Sequence, residues 1–373
     1  MISKCDNFAT TAKNSLTTGS TPLSLRCMNI TRFSLAAAFA SSVLLTGANG
    51  QTTATTDPVG FVSYTVNANS DQKVGVPMTQ AAVFSGAATT VSGTSVTTSG
   101  VPVLSGKNML LVTSGAAAGS WEEVASSTST TISLLSAISG FSSSDSFEIR
   151  QFWTLSSLFP NGGAIPVSPD PENPRGLVLL NDLTAVGINP ASGASYLYHD
   201  GSVLAAGWYE NGSFEVANDV VVSPESFITI RNLTSSAVNV VFVGSVPTTP
   251  STIDVVRRAG GQQDNLILNQ FPSAVTLADS GLSTSGAVAS SPDPENPVDL
   301  LLVYTLSNSG LNPASSASYL YHDGSVLDAG WYENGSFENA NNVQIPDGGA
   351  IVIRKGSGPN QVTKFVPVIP YTL

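Results

Sequence analysis

Five side chains that could bind a sugar occur twice in the sequence. They lie in the segment Ala194–Glu215, which recurs as Ala317–Glu338 with a single difference, Ala205 against Asp328. Aromatic rings offer flat apolar faces, and acids or amides bind hydroxyl groups. The spacing predicts paired carbohydrate-binding sites, whereas the alternative makes the same aromatic rings the core of a small module. The candidates are Tyr198, Asp200, Trp208, Glu210 and Asn211, repeated as Tyr321, Asp323, Trp331, Glu333 and Asn334.

Two of these acids per copy could also act as a hydrolytic pair. A glycoside hydrolase needs two carboxyl groups across the scissile bond, and Asp200 with Glu210, or Asp323 with Glu333, could supply them. Both pairs fall in predicted turns, where acidic residues are common because they hydrogen-bond the local backbone. We therefore predict a non-enzymatic protein and keep hydrolysis as the last alternative.

A second acidic segment could hold calcium, which prefers carboxylate and carbonyl oxygens from loops. The sequence SPDPENP occurs at Ser168 and again at Ser291. The alternative is a rigid exposed connector, since its prolines favour extended backbone. We predict no required cofactor, and calcium is the only candidate metal. Its ligands would be Asp170 and Glu172 in the first copy and Asp293 and Glu295 in the second.

An internal duplication positions all of these residues. Ser168–Arg231 aligns with Ser291–Arg354 at a constant offset of 123 residues. Short aromatic segments alternate with Asp-Gly and Asn-Gly dipeptides, which favour tight turns between strands. The sequence therefore predicts an all-β protein of antiparallel β-sandwich or small β-barrel modules. The predicted domains are an N-terminal β domain over 51–153, repeat copy 1 over 154–245, a linker over 246–262 and repeat copy 2 over 263–373.

The first fifty residues have the pattern of a leader and a secretory signal peptide. Arg32 precedes the apolar run Phe33–Leu45, and small residues follow it up to Gly50. A mostly apolar run of thirteen residues suits a signal and is shorter than the about twenty residues that span a membrane. We expect translation to start at Met28 and cleavage to occur near Gly50. The mature chain would then carry no transmembrane segment and be exported to the cell surface, the periplasm or the medium.

The low fraction of charged residues and the negative net charge limit the classes of partner that the chain can bind. Charged residues make up only 11% of the chain, and the formal net charge is -12. We predict no nucleic-acid partner, because phosphate binding needs clustered Lys and Arg. Both cysteines, Cys5 and Cys27, precede the predicted cleavage point, so we expect the mature chain to contain no disulfide.

Several segments resemble an uncharacterised, signal-bearing paralogous family known from verrucomicrobial genomes. The resemblance covers most of the predicted mature chain, but its motifs mark strands and not chemistry. SPDPENP and the near-perfect duplication depart from the family pattern. The family has no assigned activity, so the resemblance implies only export and β structure. The segments that carry it are FVSYTV (Phe61–Val66), SGAAAGSWEEVASSTSTTISL (Ser114–Leu134), DSFEIRQFWTLSSLFP (Asp145–Pro160) and GQQDNLILNQFPSAVTLADSGL (Gly261–Leu282).

These observations favour a secreted or cell-surface structural or adhesive protein of the envelope. Low charge, abundant Ser and Thr, and duplication all fit that role. The expected partners are extracellular polysaccharide or envelope components, with self-association of the chain as a further possibility. A carbohydrate-binding protein with paired aromatic sites is the first alternative, and a secreted glycoside hydrolase is the second.

Overall fold

A computed structural model describes residues 57–306 and 309–372 of the chain. The predicted leader, the start at Met28 and the cleavage near Gly50 lie outside these residues. Almost every described element is a β-strand and nearly all strand pairs are antiparallel, which confirms the all-β prediction. Each described sheet is open, as in the sandwich form of that prediction.

Seven strands form what we call module 1. Alternating burial along the first of them directs Val62, Tyr64 and Val66 inward and Phe61 outward, as expected of a half-buried strand. Five strands form a sheet in the order β12-β11-β10-β13-β2, and β1 pairs with β14 as a separate ribbon. The strands are β1 (Val59–Val66), β2 (Ser70–Val74), β10 (Gly176–Asn181), β11 (Ser192–His199), β12 (Gly207–Glu210), β13 (Ile228–Asn232) and β14 (Val238–Ser245).

The segment of chain between β2 and the short helix α1 (Leu155–Leu158) forms a separate seven-stranded sheet. We call it the N-terminal sheet, and its strand order is β3-β9-β6-β7-β8-β5-β4. A single 3-10 turn, Pro160–Gly162, follows α1. The strands are β3 (Ala82–Ala87), β4 (Thr90–Ser92), β5 (Ser95–Thr97), β6 (Asn108–Val112), β7 (Trp121–Ser127), β8 (Thr131–Leu134) and β9 (Ser146–Gln151).

Module 2 has the same plan as module 1. Its main sheet runs β21-β20-β19-β23-β16, with the short β18 parallel to β20, and its ribbon pairs β15 with β24. A further pair joins β17 to β22. The strands are β15 (Ile253–Arg257), β16 (Gln263–Leu268), β17 (Val275–Thr276), β18 (Ser290–Ser291), β19 (Asp299–Val303), β20 (Ala317–His322), β21 (Gly330–Glu333), β22 (Gln344–Ile345), β23 (Ala350–Lys355) and β24 (Gln361–Phe365).

The predicted domain boundaries differ from the strand pairing at two places. The predicted N-terminal domain, 51–153, includes β1 and β2, but these strands pair with β14 and β13 of repeat copy 1. Residues 75–152 are therefore an insertion into module 1. The predicted linker 246–262 contains β15, which pairs with β24, so the connector shortens to 246–252. Local sequence patterns identify strands but not their distant partners, which explains both differences.

In each module the ribbon packs against one face of the main sheet and closes a separate core. In module 1, Tyr64 and Phe242 of the ribbon share a cluster with Trp208 and Ile230 of the sheet. In module 2, Val255 and Phe365 of the ribbon share one with Trp331 and Ile353. This arrangement of two layers around an apolar core is that of a β-sandwich. None of the helices in residues 57–306 and 309–372 is long and apolar enough to cross a membrane.

Candidate functional site

The tryptophans of the predicted sugar sites are buried in the module cores. Trp208 and Trp331 are both 0% exposed. The backbone N–H of Trp208 donates to Asn218 Oδ1 at 2.9 Å, and that of Trp331 donates to Asn341 Oδ1 at the same distance. Neither ring can stack on a sugar, because both faces are covered by protein. This corrects the predicted aromatic platform and favours its alternative, an aromatic core.

The neighbouring tyrosines serve the same cores. Tyr198 is half-buried and meets Trp208 edge-on, with 5.6 Å between ring centroids. Tyr321 meets Trp331 in the same way at 5.5 Å. Edge-to-face contacts of this length stabilise aromatic pairs. The tyrosines therefore support the tryptophans and do not form an exposed binding face with them.

The acidic candidates are exposed or half-exposed, and their oxygens accept local hydrogen bonds. Asp200 accepts from the Ser202 backbone N–H at 2.9 Å, and bonding to Ser202 holds the Asp200 pKa below its usual value. Asp323 and Ser325 repeat this turn in the second copy, with the Asp323 pKa lowered for the same reason. Such bonding of the ionised carboxylate to its own turn is a structural role.

The other half of each predicted acid pair is held in a second turn. Glu210 accepts from the Ser213 hydroxyl at 2.6 Å, and Glu333 accepts from Ser336 at 2.8 Å. The Asn211 and Asn334 side chains donate to hydroxyls of the neighbouring strand, Ser195 at 3.2 Å and Ser318 at 3.3 Å.

The two acids of each pair lie at opposite ends of one hairpin. Glu210 pairs across the hairpin with Tyr196, four residues before Asp200. Four residues of strand span roughly 13 Å, whereas a glycosidase places its two carboxyl groups about 5 to 9.5 Å apart. Glu333 pairs with Tyr319 and is equally displaced from Asp323. The structure thus separates the residues that the hydrolase alternative requires to act together.

The predicted calcium loops are stabilised by their own hydrogen bonds. Asp170 accepts from the Asn173 side chain at 2.7 Å and from the Glu172 N–H at 3.0 Å, and these bonds lower its pKa. Asp293 makes the same bonds to Asn296 and Glu295, and its pKa is lowered likewise. Glu172 and Glu295 are exposed. In the described residues, no group of three or more His, Cys, Asp and Glu side chains is arranged to hold a metal ion.

Each copy also buries one histidine in the same way. His199 and His322 are fully buried, and their Nδ1 atoms accept from the Gly201 and Gly324 N–H groups, both at 3.0 Å. The neutral ring therefore carries its proton on Nε2. These side chains fix a turn beside Tyr209 and Tyr332, with which they make edge-on contacts.

Several cavities adjoin the N-terminal sheet or module 2, and two of them differ in size and lining. One, of about 40 Å³, is lined by apolar side chains that include Met78, Met109 and Trp153, and it has room for a few water molecules but not for a sugar. The other, of about 190 Å³, lies where module 1 meets module 2. Its polar lining includes Asp182, Glu225, Asp254, Arg258 and Asp264.

Glu225 is the group in that second cavity whose titration is displaced furthest. Burial raises the pKa of Glu225 to about 7, a hydrogen bond from Trp121 opposes the increase, and Asp254 adds to it. The Trp121 Nε1 atom lies 3.0 Å from Glu225 Oε1. A carboxyl group that titrates near neutral pH is found both in catalytic sites and in structural contacts. Here it lies where the N-terminal sheet meets module 1.

The sequence alone did not identify Glu225 as a candidate, and it did not identify two ion pairs whose aspartates are buried. Arg231 donates to Asp71 in module 1, and Arg354 donates to Asp264 in module 2. The two arginines are separated by the repeat offset of 123 residues, so the sequence alone could have identified them as equivalent. The two aspartates are 193 residues apart and precede the aligned region, because the insertion changes their spacing.

Comparison of the chain with known proteins found no matching family model, no similar curated protein and no similar solved structure.

Proposed function

We propose that this chain is an exported, non-enzymatic structural or adhesive protein of the cell envelope. The repeated residues that could bind a ligand or catalyse a reaction stabilise the fold instead. The tryptophans lie in the cores, and the acids stabilise turns. This use of the repeat supports a role that depends on surfaces and on stable modules.

The observation that carries the proposal is an apolar face on the β1–β14 ribbon. Val59 and Phe61 are 74% and 72% exposed, and Val241 and Val243 beside them are 50% and 56% exposed. Phe61 pairs directly with Val243 across the ribbon. Contiguous exposed apolar side chains on a soluble module mark a surface for contact with another body.

The matching ribbon of module 2 is less apolar, although Val362 of β24 and Val366 just after it are 56% and 43% exposed. At the positions of Ser63 and Val241 it has Asp254 and Lys364, which face each other across β15 and β24. A charged pair favours water, while the module 1 ribbon leaves apolar area uncovered. The charged pair interrupts the apolar face of the module 2 ribbon, and the absence of such a pair from the module 1 ribbon supports a function for that ribbon beyond folding.

The test is cell fractionation of the producing cells, with the protein detected by antibody. The natural chain is expected in the surface fraction. The double variant Phe61→Ser, Val243→Ser is expected to appear in the medium in an amount at least several-fold greater than the natural chain. Val203→Ser with Val326→Ser is the matched control, because these valines are equally exposed but lie in loops. A natural chain that is monomeric and confined to the medium would contradict the proposal.

A further inference from the structure

Two turns with the same sequence pattern connect equivalent strands of the two modules. Gly187-Ile188-Asn189-Pro190 lies between β10 and β11, and Gly310-Leu311-Asn312-Pro313 lies between β19 and β20. Asn189 and Asn312 have φ values of 48° and 51°, a left-handed conformation that asparagine tolerates better than most residues. Each turn makes its outward hydrogen bonds to the other module.

The turn of module 2 docks on an ion pair of module 1. The Asp71 N–H donates to Gly310 O at 3.0 Å, and the Asn312 N–H donates to Asp71 Oδ2 at 2.8 Å. Arg231 donates through Nε to Asp71 Oδ1 at 2.7 Å and through Nη2 to Asn312 Oδ1 at 2.9 Å. One arginine thus holds both the receptor aspartate and the incoming asparagine.

The turn of module 1 makes the same contacts on module 2. The Asp264 N–H donates to Gly187 O at 2.9 Å, and the Asn189 N–H donates to Asp264 Oδ2 at 2.7 Å. Arg354 donates to Asp264 Oδ1 at 2.8 Å and to Asn189 Oδ1 at 3.0 Å. The two sets of contacts therefore match bond for bond.

Each turn docks on an ion pair of the other module, which we call its receptor. The receptors are Asp71 with Arg231 in module 1 and Asp264 with Arg354 in module 2. The carboxylates of Asp71 and Asp264 are almost fully buried, with side-chain exposures of 1% and 2%. A buried carboxylate needs a cation and further donors, and the arginine and the turn together supply them. Apolar side chains of both modules also form one cluster, which includes Phe227, Leu268 and Val352.

An interface in which each half contributes the same turn and the same receptor is isologous, as in a twofold dimer. Here both halves belong to one chain, joined by the connector 246–252. We propose that this interface is also an interaction surface for a second copy of the chain. Two chains would exchange modules, so that each turn docks on the receptor of the other chain.

The exchanged dimer re-forms the contacts of the monomer, so only tethering favours the monomer. A short tether gives an effective concentration in the millimolar range. Exchange is therefore expected when chains fold at high local concentration, as they would in a surface layer. The inference rests on the matched contacts and not on the proposed envelope function, so either can fail alone.

Two full-length variants with complementary defects test the exchange. The turn variant carries Asn189→Gly and Asn312→Gly, which keep the positive φ but remove the side-chain acceptors. The receptor variant carries Arg231→Lys and Arg354→Lys, which keep the charge on each aspartate but lose the fork that also reaches the turn. In a monomer of either variant, every docking site contains either an altered turn or an altered receptor. In a mixed exchanged dimer, the natural turns of the receptor variant dock on the natural receptors of the turn variant, which gives two intact sites.

The variants are co-refolded at high concentration, one labelled with nitrogen-15, and dimers are weighed by native mass spectrometry under reducing conditions. The mixed dimer is expected to exceed clearly the half of all dimers that random pairing gives. Labelled and unlabelled natural chains are expected to pair at random. The control variant, Asn211→Gly with Asn334→Gly, alters equivalent exposed turns outside the interface and is expected to behave as the natural chain.

Two results would overturn the inference. One is the absence of dimer at every concentration with both variants folded by circular dichroism. The other is random pairing of the two variants, which would assign any dimer to a different surface. Retention of the natural chain at the cell surface in either case would leave the envelope proposal standing.

Discussion

At the residue scale, the repeated aromatic and acidic side chains are explained by folding. Trp208 fills the module 1 core, and its Nε1 atom donates to the Phe159 carbonyl at 3.3 Å. Trp331 fills the same place in module 2, but its Nε1 has no hydrogen-bond partner among the described residues. Phe159 belongs to the α1 region, and the repeat offset places Leu282 at its position in module 2. The two copies thus offer a natural comparison of one side chain with and without its bond.

Replacing each tryptophan by phenylalanine should therefore have unequal costs. Both substitutions remove similar volume, but only Trp208→Phe also loses a hydrogen bond, which is worth about 1 kcal/mol. We expect Trp208→Phe to lower the free energy of unfolding by about that much more than Trp331→Phe. Urea denaturation of the two variants beside the natural chain measures the difference. Equal costs, or a larger cost for Trp331→Phe, would contradict the bonding pattern.

At the element scale, the strand pairing assigns β2 to module 1 and not to the sheet that follows it in sequence. Ile230 is fully buried in β13, and its residue pairs with Gln72 of β2 on one side and Val178 of β10 on the other. Residues that pair in one sheet tend to open together in hydrogen exchange. The protection of β2 should therefore follow that of β13.

Ile230→Ala is expected to expose β2 to exchange. Its cavity costs about 2 to 5 kcal/mol, so the amides of β2 and β10 should lose protection while those of β6 keep theirs. Hydrogen exchange with mass spectrometry resolves these peptides. Ile149→Ala, at a fully buried site in the N-terminal sheet, is the matched control and should produce the reverse pattern. Loss of β2 protection in the control alone would return β2 to the N-terminal domain.

The strands themselves were predictable, but their partners were not. Asp-Gly and Asn-Gly turns after His199 and Glu210 correctly marked the hairpin of β11 and β12. The partners of β1 and β2 lie more than 150 residues away, and no local pattern records such a distance. The same limit applied to the site: alternation could not decide whether Trp208 faces a ligand or a core, since both require an aromatic side chain.

At the scale of the whole molecule, one carboxyl group links the three parts of the described chain. Glu225 belongs to module 1 and accepts a hydrogen bond from Trp121 of the N-terminal sheet. Asp254 and Lys364 of module 2, which pair across β15 and β24, act on it electrostatically. The ion pair of Arg231 and the turn at Asn312 join module 1 to module 2 elsewhere. Stability of the assembled chain should therefore depend on the protonation of Glu225.

The direction of that dependence follows from the pKa of Glu225, which is about 7 in the folded chain against an ordinary value of 4.5. A raised pKa means that folding favours the protonated acid, so this contribution to stability is complete below pH 4.5 and is lost as the pH rises through 7. Glu225→Gln keeps the acceptor for Trp121 and cannot ionise. At pH 8 it should stabilise the chain by about 2 to 3 kcal/mol, and at pH 4 by nothing measurable.

Urea unfolding of Glu225→Gln and the natural chain at pH 4, 6 and 8 measures this difference. Glu215→Gln, an exposed glutamate of the same module, controls for the loss of one negative charge from an acidic chain. A gain that is equal at all three pH values, or that also appears in the control, would show that charge reduction alone stabilises the protein. A gain confined to high pH in Glu225→Gln would make this carboxyl group the point at which acidity strengthens the contact between the N-terminal sheet and the modules.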